Sequence, residues 1–83
     1  MDFEFDHAKS TANLAKHGID FVAAQAIWLD PALVETEGAI YGDEERSRII
    51  GKVWTAAITR REDRVRIISV RRARDVEARF YIG

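Results

Sequence analysis

The 83-residue sequence has no cysteine, one proline, five glycines and no apolar run longer than four residues. The missing cysteines exclude a disulfide scaffold, a zinc–thiolate site and a cysteine nucleophile together. Apolar runs this short exclude a transmembrane helix and a signal-peptide core. The acidic opening, Met1 to His7, is the reverse of a secretory n-region, so a cytoplasmic protein is expected. Few Pro and Gly, with 47% hydrophobic and 33% charged residues, describe a globular chain rather than a low-complexity or disordered one. A second hydrophobic core does not fit in this length, and 1–83 is read as a single domain.

The net charge of −1 conceals an asymmetry. Residues 1–45 carry two lysines against ten acids, a balance of −8, whereas residues 46–83 carry ten arginines and Lys52 against four acids, a balance of +7. An arginine-rich half is the footprint of a surface that meets phosphate, because the guanidinium fork matches phosphate oxygens bidentately. Two other uses of the same charge stay open: pairing of the two blocks within the fold, and an acidic protein partner docked on the arginines.

Local patterns predict an α+β domain, with an N-terminal helical hairpin packed on a small antiparallel sheet and a C-terminal helix. Asp2 to Asp6 alternates as a short strand with both Phe on one face. Asp6 is the N-cap of a helix over 7–17, whose apolar stripe is Ala8, Ala12, Leu14 and Ala15, and Gly18 ends it. Asp20 caps a second helix, 21–28, which Asp30-Pro31 stops. Then follow a strand at 32–36, an acidic turn-rich loop at 38–45, and a three-stranded meander: 46–50, 53–59 and 64–71. Residues 72–81 suit a helix with Ala73, Val76 and Phe80 on one face. Trp28 and Trp54 are assigned to the core.

Two groups of residues suit chemistry. In strand 64–72, Arg64, Arg66 and Arg72 share one face with Ile68 and Val70, while Ser69 and Arg71 lie on the other. Neither face is cleanly apolar. An arginine in mid-sheet calls for an anionic partner, either a carboxylate of this protein or a phosphate. At the end of the first helix, Lys16 and His17 precede Gly18. The helix dipole favours the charged form of a histidine there, which suits proton transfer near neutral pH, although Lys and His are also ordinary C-terminal residues. His7 and His17 lack the spacing of metal ligands on one helix face, and Asp43-Glu44-Glu45 is read as a solvated loop paired to Arg46 or Arg48, so no metal site or cofactor is expected.

Phe3-x-Phe5-Asp6-x-x-Lys9, Asn13-x-x-Lys16-His17-Gly18-Ile19-x-Phe21-x-x-Ala24, Asp30-Pro31, Asp43-Glu44-Glu45-Arg46 and Arg66-Ile67-Ile68-Ser69-x-Arg71-Arg72-Ala73 occur in that order. The set resembles the BrnT family of bacterial toxins over essentially the whole chain. The resemblance implies a RelE-like ribonuclease fold and metal-independent RNA cleavage that inhibits translation and growth. It also implies neutralisation by a BrnA-like antitoxin carrying a ribbon-helix-helix part, with the complex repressing its own operon and operator DNA met only through that complex. On this reading His17, Lys16, Arg66 and Arg71 are the catalytic candidates, and Arg64, Arg72, Arg74, Ser69 and Tyr81 the RNA and phosphate contacts. The alternative is a non-catalytic binding module or corepressor whose arginine face docks an acidic partner. One difficulty belongs to the ribonuclease reading: Arg66 and Arg71 point to opposite faces of an ideal strand, so a shared site needs a bulge between them or Arg71 beyond the strand's end.

Overall fold

A computed structural model describes residues 1–81. The elements in order are β1 (Asp2–Glu4), α1 (His7–His17), a 3₁₀ helix (Ala23–Leu29), β2 (Val34–Tyr41), β3 (Glu44–Ile50), β4 (Trp54–Arg61), β5 (Arg64–Arg72) and α2 (Asp75–Ala78). The architecture is α+β, built on one five-stranded sheet of order β1-β5-β4-β3-β2. Strands β2 to β5 form an antiparallel meander, and β1 joins its far edge parallel to β5. Among the described residues no helix is long and apolar enough to cross a membrane.

The caps of α1 follow the expected chemistry. Asp6 accepts from the Lys9 amide, and Gly18, at φ 81°, donates its amide to the Leu14 carbonyl. The segment expected as a second α-helix is instead 3₁₀, and no clear helical hairpin forms. Asp20 accepts from the Ala23 amide, which starts the tighter winding only a few residues ahead of Asp30-Pro31. The acidic stretch 38–45 is not a loop. β2 and β3 continue through it to a two-residue turn at Gly42-Asp43, where Gly42 takes φ 60°. This outer part of the hairpin is mostly exposed, so no core enforces an apolar alternation there. The C-terminal helix is a single turn, with Val76 and Phe80 exposed and Glu77 as its buried residue.

The core lies between one face of the sheet and the two helices. Ile49, Ala56, Ile58, Val65, Ile67 and Val70 supply the sheet side, Ile19, Phe21, Ala24 and Ile27 the other, and Trp28 and Trp54 pack at its margin. The expected apolar stripe of α1 faces outward: Ala8, Ala12 and Ala15 are exposed, and Leu14 is 49% exposed. Its buried residues are Ser10 and Asn13. Because β1 ends at Glu4 opposite Arg66, the edge of β5 beyond that point would otherwise present unpaired backbone. Asn13 fills the gap, standing in for a continuation of β1. Its amide nitrogen donates to the Val70 and Ile19 carbonyls at 2.9 and 2.7 Å, and its oxygen accepts from the Val70 amide at 3.1 Å. Ser10 Oγ accepts from the Phe21 amide.

Replacing Asn13 with Ala strips three buried backbone groups of their partner and is expected to lower stability by about 2–5 kcal/mol. Leu14→Ala, on the outward stripe, is expected to stay within about 0.5 kcal/mol of wild type. Urea unfolding of the two variants checks the pair, and a larger loss from Leu14→Ala would return the packing to the apolar stripe.

Candidate active site

Strand alternation assigns each side chain of β3, β4 and β5 to the helix side or to the opposite, open face. On the open face the register forms rows across the sheet: Arg46–Thr59–Arg66, then Arg48–Ala57–Ser69, then Ile50–Thr55–Arg71. Ser69 and Arg71 share this face with Arg66 because the pairing slips between Ala57↔Ser69 and Ile58↔Ile67. Ile68 is the extra residue of a β-bulge, and from there on the alternation of β5 is reversed. Arg71 therefore reaches the face of Arg66 from within the strand. No strand–helix junction is needed.

The two arginines have different surroundings. Arg66 stands at the β1 end, where its guanidinium, with those of Arg61 and Arg64, surrounds the Glu4 carboxylate at 3.9, 3.8 and 3.7 Å. One acid faces three cations at distances beyond hydrogen bonding, and Glu4 Oε1 is buried without a hydrogen-bond partner. At the other end Arg71 is gripped by Glu77 of α2, through Nη1–Oε1 and Nη2–Oε2 contacts of 2.7 Å each. Glu77 also accepts from the Arg74 amide at 2.8 Å and from Thr55 Oγ1 at 3.2 Å. Between the two ends a groove of about 220 Å³ is lined by Tyr41, Arg46, Arg48, Ala57 and Ser69, among others. The Arg46 guanidinium stacks 4.0 Å from the Tyr41 ring centroid and is paired to Glu44 at 2.9 Å. That pairing is the use expected for the acidic triplet.

The remaining candidates are spread around this face. His17 lies one turn beyond Asn13, the residue through which α1 meets β5 at Val70, on the same side of the helix, and is half-buried. Lys16 is exposed beside it. Among the described residues neither forms a hydrogen bond or ion pair with Arg66 or Arg71. Arg64 shares the open face through its register with Arg61. Past the bulge Arg72 returns to the helix side, where it sits over Trp54 at 5.3 Å. Arg74 is exposed at the start of α2, and Tyr81 donates its hydroxyl to Asp30 at 2.6 Å. Sequence reasoning passed over Glu4, Arg61 and Glu77. The three-to-one ratio at Glu4 depends on the parallel pairing of β1 with β5, which alternation alone does not reveal. Glu77 follows Arg71 by six residues, a spacing with no helical or strand meaning.

Hydrogen bonds from Arg71, then from the Arg74 amide and Thr55, hold the Glu77 carboxyl down from 4.5 to about 2 against the effect of burial. The same contact raises the Arg71 guanidinium above its ordinary value. With its folded value below its unfolded one, Glu77 stabilises the fold fully above about pH 4.5 and loses that contribution as pH falls towards about 2. Glu77→Gln is expected to lower stability at pH 7 by on the order of 3 kcal/mol and to flatten the acid limb of the stability profile. Unfolding at a series of pH values measures both effects. An unchanged acid limb would remove Glu77 as its source.

Residues 5–77 match the family model of BrnT, described as the ribonuclease toxin of type II toxin–antitoxin systems, and the chain belongs to that family. The match takes in every candidate residue above except Tyr81 and, on β1, Glu4. No curated protein matches the chain.

Proposed function

From that membership we propose that this ribonuclease toxin cuts RNA on the open face of its sheet, by metal-independent acid–base catalysis with arginine stabilisation of charge. The 2′-oxygen forms a bond to the adjacent phosphorus as its proton leaves. The bond from phosphorus to the 5′-oxygen then breaks as that oxygen is protonated, and a 2′,3′-cyclic phosphate remains. Arg66 and Arg71 hold the charge that builds on the phosphorane oxygens. His17 supplies or removes a proton, and Lys16 binds phosphate or assists it. An arginine is poorly suited to act as base, with a pKa on the order of 12 or above. Arg64 and Ser69 extend the RNA track. Arg74 flanks it where β5 leaves the sheet, and Arg72, from the helix side, and Tyr81 are outlying phosphate contacts.

The observation that carries this reading is the bulge at Ile68, which collects Arg66, Ser69 and Arg71 on one exposed face. The seating of α1 through Asn13 supports the role of His17, which lies one turn further along the same side of the helix. Family membership implies an antitoxin that neutralises the chain. We take that partner to be BrnA-like, with a ribbon-helix-helix part through which the complex represses its operon, and the toxin's own plan to be RelE-like.

The test is cleavage of RNA in EDTA by wild type and by His17→Ala, Arg66→Ala and Arg71→Ala, each shown to be folded. Loss of the histidine is expected to slow cleavage by about 10²–10⁴-fold, and loss of either arginine by about 10²–10³-fold, with cyclic phosphate ends on the products. Binding of uncleaved RNA should also weaken steeply with salt as counterions are released. A folded wild type that cuts no RNA, with or without ribosomes, would favour the binding-module reading. Cleavage that survives all three changes would move the site elsewhere.

A further inference from the structure

We propose that Glu77 is the positioning residue for Arg71, fixing its guanidinium so that one bidentate edge stays free for the scissile phosphate of RNA. The inference rests on the ribonuclease reading above and deepens it.

The argument is an account of donors. A guanidinium has five N–H groups in one plane. In Arg71, Nη1 donates to Glu77 Oε1 at 2.7 Å and to the Arg72 carbonyl at 3.1 Å, and Nη2 donates to Glu77 Oε2 at 2.7 Å. Among the described residues no other acceptor is bonded to it. The two remaining N–H groups, on Nε and Nη2, lie together along one side of the fork, the arrangement that matches two oxygens of a phosphate. Glu77 therefore leaves a complete bidentate edge open instead of blocking both.

The carboxylate is built for holding. It is 4% exposed and is tied by four contacts: two from Arg71, one from the Arg74 amide and one from Thr55. Two of these come from outside the ion pair, so the anion stays in place however the arginine moves. Arg71 itself keeps 26% of its side chain in solvent, which leaves the free edge reachable. The contrast with Arg66 is informative. The acid paired with it, Glu4, lies 3.9 Å away and is shared with two other arginines. Arg66 can follow a moving phosphate, whereas Arg71 gives a fixed direction.

The test uses RNA with a single phosphorothioate at the scissile linkage, as separate Rp and Sp diastereomers beside the all-oxygen substrate. Wild type, Arg71→Ala, Glu77→Gln and Glu77→Asp are compared in EDTA. The ratio of oxygen to sulfur rates cancels the fraction of active protein, so a partly unfolded variant still reports on the site. Wild type is expected to discriminate against one diastereomer, and Arg71→Ala to lose that discrimination. Glu77→Gln should match Arg71→Ala in this ratio, with kcat lower by about 10²-fold and KM little changed, as a misplaced group gives. Glu77→Asp, which keeps the charge but shortens the arm, should fall between Gln and wild type.

A Glu77→Gln enzyme with the wild-type sulfur ratio would overturn the proposal while leaving the ribonuclease reading intact. So would one that cuts faster than wild type, which would make Glu77 a competitor for the arginine. Wild-type discrimination in Arg71→Ala would take Arg71 off the phosphate and overturn the inference while leaving the ribonuclease reading, whereas no cleavage by wild type would remove both.

Discussion

One extra residue in β5 decides which side of the sheet carries the chemistry. Without Ile68 as a bulge, Val70 would turn away from the helices and Arg71 would point into the core. With it, the apolar alternation is interrupted and resumed one step out of phase, so Val65, Ile67 and Val70 are all buried while Arg66 and Arg71 both face outward. Asn13 is tied to both backbone groups of Val70, immediately beyond the shift, and so holds the new register from the edge. The bulge and the asparagine are one device. The first reverses the strand's facing, and the second keeps the reversed segment paired.

The charge asymmetry of the sequence is resolved by this geometry. The internal acids do not cancel the arginines one for one. Glu35 takes Arg60 on the helix side at 2.6 Å, and Glu44 takes Arg46, whereas Glu4 is shared among three guanidinium groups. Arg48 lines the groove with Ser69, between the rows that contain Arg66 and Arg71. The open face thus keeps an excess of cations in a row as long as β5. In this fold the acids serve as braces that set the direction of particular arginines, and neutralisation is a lesser part of what they do.

The sequence made the local elements with strong chemical punctuation legible: α1 between Asp6 and Gly18, and the strands β3, β4 and β5 with short connections between them, although the one after Ile50 takes three residues instead of two. It misled where punctuation and environment diverge. Gly38 and Gly42 with three acids looked like a loop, yet an exposed hairpin arm needs neither an apolar face nor a long connection. The alanine and leucine stripe of α1 looked like a packing surface, yet the helix sits at a sheet edge where backbone groups must be paired, so an amide and a hydroxyl are buried instead. Alternation put Arg66 and Arg71 on opposite faces and named a bulge as one remedy. The bulge itself has no mark in the sequence, since Ile68 is an ordinary strand residue. Glu77 was invisible for a similar reason, because its partner is set by the path of the chain between Arg72 and Asp75.

The way α1 is held has a thermal consequence. Burial of apolar surface dominates the heat-capacity change of unfolding, whereas exposing polar groups changes it in the opposite sense. A helix seated through Ser10 and Asn13, with Leu14 and three alanines in water, adds little apolar area to that change. Its grip on β5 therefore weakens less on cooling than the grip of the Phe21 and Ile27 side chains on the core. The edge that carries His17 is the more temperature-indifferent of the two contacts holding the helices to the sheet.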